Sequence, residues 1–257
     1  MLDWERLTLF FYILTRMSGF VLFSPVLGRQ SIPGIVRAGF ILVLAITVTS
    51  FTPGGAPMPT HLLQFALNLF LELSVGLLLG FAMQLFFYIP LLAGEVLDTQ
   101  FGFTMGKIYD AGSQTSMSVT STLLNIFMFL LFFTANGHHT LLRILLTSGS
   151  VIPFGQAAIS PEAAWAIGDI FVSCTLLAVK LALPILAAEL MGQVGMGILM
   201  KAIPQINVFA INIELKVVVG LVMIMFLITP FSEFLLAAEN QMLGSMQDLL
   251  RLALPSP

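Results

Sequence analysis

Charge is what this chain has least of. Only 9% of its 257 residues are Asp, Glu, Lys or Arg, while 58% are hydrophobic; soluble domains carry about 25% charged residues. So small a supply cannot clothe a water-facing surface, and a mean hydropathy of +1.02 places the chain in a lipid bilayer. The charges present sum to −3 and form no basic run, which excludes a nucleic-acid partner. Cysteine is nearly absent too. Cys174 stands alone, so no intrachain disulfide is possible, and its apolar surroundings make it a small buried hydrophobe. The chain has three histidines. His138 and His139 are adjacent, about 100° apart on a helix, and cannot chelate one metal as an i, i+4 pair would. Asn136–Gly137–His138–His139 reads instead as a helix–turn–helix corner.

Catalytic motifs are missing as well. The sequence has no HExxH, no cysteine cluster, no GxSxG and no GxxxxGK[ST], and Ser113, Ser116 and Ser118 have no nearby base. The expectation is a protein that is not an enzyme and uses no cofactor or metal. The N-terminus, MLDWERLTLFFYIL, does not have the form of a cleavable signal. Asp3 and Glu5 offset Arg6, and no small-x-small site closes the apolar run, so the first segment is expected to stay.

What is present is apolar sequence broken at Gly, Pro and polar clusters. Six segments emerge: Leu7–Val26, Ile35–Phe51, Leu62–Leu92, Val119–Thr134, Trp165–Leu199 and Val208–Leu236. Helix is the state that lets each satisfy its own backbone in lipid, and nothing alternates like a barrel strand. The fold class is therefore an all-α membrane protein. The breaks are GRQSIPG, TPGGAPMP and GSVIPFGQAAISP; the last divides residues 1–150, an N-terminal helical unit, from 151–257, a long C-terminal hairpin. Several segments exceed the roughly 20 residues a span needs. Pro90, Pro184 and Pro230 interrupt them and are expected to kink or break them.

Charges lie inside these segments: Arg16, Arg37, Glu72, Asp169, Lys180, Glu189, Glu214 and Lys216. Each costs about 2.5–3.5 kcal/mol at a bilayer centre, so they are paired in a protein interior or stand outside lipid. Buried charge and broken helices also suit a secondary transporter of small solutes or ions, but that reading expects two similar halves and these differ. Basic residues in the connections divide almost evenly, Arg6, Arg143 and Arg251 against Arg29, Arg37, Lys107 and Lys201. A chain so poor in topogenic charge is expected to be held by partners. Gly76 with Gly80, and Ala188 with Gly192 followed by Gly195 and Gly197, offer close helix contacts; the second group, preceding KAIPQIN, reads as the bend of a helical hairpin.

One stretch fits none of these categories. Gly102–Ser118, GFTMGKIYDAGSQTSMS, has five Ser or Thr and three Gly, but one Lys and one Asp. It is too long for a tight turn, too uncharged for a solvated loop, and studded with Phe103, Met105, Ile108, Tyr109 and Met117. The residues alone suit either a plug in a lumen or a loop packed on a neighbouring subunit.

The run EVLDTQFGFTMGKIYDAGSQTSMSVTSTLLNIFMFLLFFTANGHHTLLRIL resembles the FliR family of flagellar biosynthetic proteins and its injectisome counterparts in type III secretion. It shares their Gly-hydrophobic loop ending in Asp-x-Gly-Ser, the apolar helix after it, and the Asn-Gly-His corner. RMSGFVLFSPVLGRQSIPGIVRAGF, with Arg16, Pro25, Pro33 and Arg37, and PQINVFAINIELKVVVGL also fit, so the likeness covers nearly the whole chain. KLALPILAAELMGQVGMG, then PQIN and ELK, is similar to the two-helix protein FliQ. This likeness implies a FliP-like first part continuing into a FliQ-like hairpin of kinked helices.

The resemblance implies a core subunit of a bacterial export gate in the inner membrane at the flagellar basal body, partly raised toward the periplasm. Its implied partners are FliP-like and FliQ-like subunits in a helical hetero-oligomer and an FlhB-like switch protein. The closed cone would conduct unfolded export substrates, driven by an ion gradient and a cytoplasmic ATPase. Arg16, Arg37, Glu72, Lys180, Glu189, Glu214 and Lys216 would then be buried or interface charges. The loop becomes a plug. Phe103, Met105 and Ile108, with Tyr109 and Met117, would exclude water by dewetting, while Gly102, Gly106 and Gly112 let the loop swing aside. Lys107 and Asp110 would anchor its closed position.

Overall fold

A computed structural model describes residues 4–28, 32–102, 118–158, 160–202 and 208–253, with side chains from residue 214 in the last range. Every regular element within them is a helix: α1 Trp4–Phe23, α2 Gly34–Phe51, α3 Leu62–Phe101, α4 Val119–Thr134, α5 Gly137–Val151, α6 Pro161–Ala202 and α7 Val208–Leu252. Five are long and apolar enough to cross a membrane, and α4 with α5 forms a further pair bent by 68°. The bend falls at Asn136, whose φ of 59° is left-handed, a conformation that Asn adopts more readily than most residues. The expected corner is there.

The prolines do not break their helices. Pro90, Pro184 and Pro230 each lie inside a continuous helix of 40, 42 and 45 residues respectively. The missing N–H costs a single backbone bond, which the flanking turns of a long helix outlast. Two helices also run further than hydropathy implied. α3 continues past Leu92 to Phe101 and stops at Gly102, whose φ of 78° supplies the left-handed residue that ends a helix. α7 continues past Leu236 to Leu252 because its last turns are amphipathic: Leu235, Ala238, Met242, Met246 and Leu249 are buried at three- and four-residue spacing.

The chain packs as two compact units. The first comprises Met1–Phe86, Asn136–Val172 and Asn240–Pro257, the second Phe87–Ala135 and Ser173–Glu239. Each takes residues from both sides of position 150. In the first unit α1 lies against α2 and against α3, where a Cβ on Gly76 would overlap the Arg16 carbonyl and one on Gly19 the Leu73 carbonyl. Gly80 meets Phe20 and Phe23 in the same crossing. This is the close approach that small residues permit. The other small-residue group behaves differently: among the described residues, nothing lies within 4 Å of a Cβ at Gly192, Gly195 or Gly197. The second unit has a core of Leu97, Phe101, Leu124, Met128 and Phe132, with Phe87 packed on Phe129 and Phe132 at 4.9 and 5.6 Å between ring centroids.

Candidate functional site

Arg16 and Glu72 form the polar heart of the first unit. Both are fully buried, and Arg16 Nε donates to Glu72 Oε2 at 2.6 Å. The guanidinium spends its other donors nearby: Nη1 reaches Ser148 Oγ at 3.3 Å, and Nη1 and Nη2 each reach the Ile152 carbonyl at 3.2 Å. Ser148 in turn donates to the Leu145 carbonyl at 2.8 Å. Glu72 Oε1 accepts from the Gly155 N–H at 2.7 Å, and the Phe154 ring lies 4.3 Å from the guanidinium carbon. Two buried charges that would each be prohibitive alone are thereby paired and hydrogen-bonded. The tight α1–α3 crossing sets the pair's distance, since Gly76 lets the Arg16 backbone sit one turn from Glu72.

Other expected site residues are placed differently. Arg37 is half-buried, and its Nε meets no acceptor among the described residues. Lys180 and Glu214 are exposed and Lys216 is half-buried. Glu189 is buried, lies within electrostatic reach of Lys216, and its Oε1 has no donor among the described residues. Of the loop, Gly102 closes α3, whereas Phe103, Met105, Gly106, Lys107, Ile108, Tyr109, Asp110 and Met117 lie outside the described residues.

The loop's two ends are described, and here the structure shows what sequence reading passed over. Ser118 caps α4 by accepting from the Ser121 N–H at 3.2 Å, and its hydroxyl donates to the buried Asp98 near the end of α3. Asp98 stands with Glu95, Thr99 and Gln100 in a mixed stretch, EVLDTQ, where its burial does not show in the sequence. Glu239 is also buried, although it stands in the polar-looking stretch AENQ.

Among the described residues, five helices are able to span a membrane, and the first unit buries a paired, hydrogen-bonded Arg16 and Glu72. This defines a polytopic membrane protein, not a water-facing one. Residues 7–242 match the family described as bacterial export proteins, family 1, and the chain belongs to it. Its relatives include the flagellar biosynthetic protein FliR of Escherichia coli K12, 29% identical over 95% of this chain and 94% of that one. The protein of the same name from Pectobacterium carotovorum is 26% identical over 96% and 94%. That of Bacillus subtilis 168 is 26% identical over 84% of each.

Proposed function

We propose that this chain is a core subunit of a flagellar type III protein-export gate in the bacterial inner membrane, at the base of the flagellum. The observation that carries the reading is the family match over residues 7–242, with relatives named as flagellar biosynthetic proteins along almost their whole length. The subunit joins FliP-like and FliQ-like partners in a helical hetero-oligomer, takes an FlhB-like protein on its outside, and helps enclose a channel for unfolded export substrates. The stretch Gly102–Ser118 is the plug of that channel.

The surface chemistry supports an assembly. In α6, Leu176, Val179 and Leu183 are exposed, and exposed Lys180 lies among them. A cation on an apolar stripe is costly against lipid and favourable against a partner's acceptor. α7 exposes Val218, Leu221, Met225 and Phe226. Arg16 and Glu72 offer a transported solute no free charge, because they are spent on each other and on backbone.

Coexpression with FliP-like and FliQ-like partners should yield a heteromer containing this chain, seen as an intact mass; a monomer or homodimer that ignores them overturns the assembly. Deleting Gly106–Ser116 should raise ion conductance through the purified heteromer, and an unchanged conductance would end the plug reading.

A further inference from the structure

The stem of the 102–118 loop is built around a single acidic side chain. Asp98 lies four residues before Gly102, in the last turn of α3, and is fully buried. Its carboxylate accepts from the Ser118 hydroxyl at 2.5 Å. It also accepts from the Thr120 N–H, shared between Oδ1 at 3.3 Å and Oδ2 at 3.4 Å. Ser118 and Thr120 belong to the other end of the loop, where the chain enters α4. One side chain therefore joins the last turn before the loop to the first turn after it.

The surroundings hold this junction in one geometry. The Ser121 hydroxyl donates to the Leu91 carbonyl at 2.7 Å, and a Cβ on Gly94 would overlap the Ser121 backbone. The buried Phe101 ring fills the space that a Cβ on Gly220 of α7 would need. All these residues belong to the second packing unit. Capping α4 does not require Asp98, because Ser118 already does so. A buried carboxylate is costly to desolvate and is kept where its contacts must be satisfied together. Here those contacts tie two segments that the sequence separates by the loop.

We propose that Asp98 is a positioning residue of the export gate. It clasps the two ends of the loop, so that the plug departs from a fixed stem. This inference rests on the plug reading above and gives Asp98 no contact with cargo.

The test uses the assembled heteromer, with Cys174→Ala and Ile108→Cys providing one reporter thiol in the loop. Asp98→Asn keeps the shape but turns one acceptor oxygen into a donor. Maleimide modification of the reporter should become about tenfold faster, the ratio set by losing a hydrogen bond to a charged group, and ion conductance should rise. Ser118→Ala should do the same, Ser118→Thr should restore the parent rate, and the Asp98→Asn/Ser118→Ala double variant should exceed neither single one. Parent labelling rates in Asp98→Asn and Ser118→Ala heteromers of normal mass overturn the clasp. Faster labelling with no rise in conductance, in these variants and in the loop deletion alike, leaves the clasp standing and removes the plug. If Asp98→Asn does not assemble, the Ser118 pair decides: Ala faster than Thr supports the clasp, and equal rates overturn it.

Discussion

At the scale of single residues, the first unit depends on Arg16 and Glu72 being present together. Replacing Glu72 with Ala leaves a fully buried guanidinium without its counter-charge and exposes the Gly155 N–H to no acceptor. That loss is expected to destabilise the protein by about 3–5 kcal/mol, read as a lower melting temperature of the purified assembly. The double replacement Arg16→Met with Glu72→Leu should recover part of it, because no charge is then left uncompensated, while the Gly155 N–H and the Ile152 carbonyl still lose these partners. If the double variant melts no higher than Glu72→Ala, the pair is not acting as a unit. Gly155 is the neighbouring constraint. Its φ of 82° is left-handed, and a Cβ would stand 2.7 Å from the Tyr12 ring. Gly155→Ala is therefore expected to destabilise through both strain and overlap, pulling the N–H away from Glu72.

At the scale of elements, the two small-residue groups make opposite predictions. Gly76 lies in the α1–α3 crossing, so Gly76→Val should push the helices apart and lower the yield of folded chain by several-fold, measured as monodisperse protein in detergent. Gly192→Ala and Gly195→Ala meet nothing within 4 Å among the described residues and should be neutral for the chain's folding; a loss of folded chain there would contradict the geometry. The sequence favoured the second group because a break follows it. What decides the matter is a partner helix at the right height, and spacing along one helix carries no information about that. The prolines teach the same lesson from the other side. A proline disrupts a few backbone positions, while packing acts along more than ten turns, so the element persists.

At the scale of the whole molecule, the apolar surface asks for cover. Only 11% of the most apolar stretch of α7 is buried within the chain, against 56% for α3, so α7 must be sheathed by lipid or by other subunits. For α6, whose most apolar stretch is 28% buried, the two are separated by Lys180. Lys180→Glu should sharply reduce recovery of FliP-like and FliQ-like partners with this chain, whereas Lys180→Arg should retain it, both read as intact mass after copurification. Equal recovery in the two variants would assign this face to lipid headgroups.

The sequence by itself determined the solvent, the helical state and the family. With 9% charge the chain has no route to a water-facing surface, a backbone in lipid without the alternation of a barrel strand must be helical, and the loop, corner and PQIN segments carry a likeness over nearly the full length. Expected segment starts such as Leu62, Val119 and Val208 coincide with helix starts because hydropathy and turn residues change there together. The tertiary structure alone decided which charges meet. Arg16 pairs with Glu72, 56 positions away, and Asp98 with Ser118 across the loop, while Lys180 remains exposed. Arg16, Glu72 and Lys180 are isolated charges in apolar runs and look alike in one dimension, while Asp98 and Ser118 sit in polar stretches, DTQ and SQTSMS, that do not show which residues meet. A buried charge is distinguished from an exposed one by its partner in space, and that partner is set by how closely two helix backbones approach.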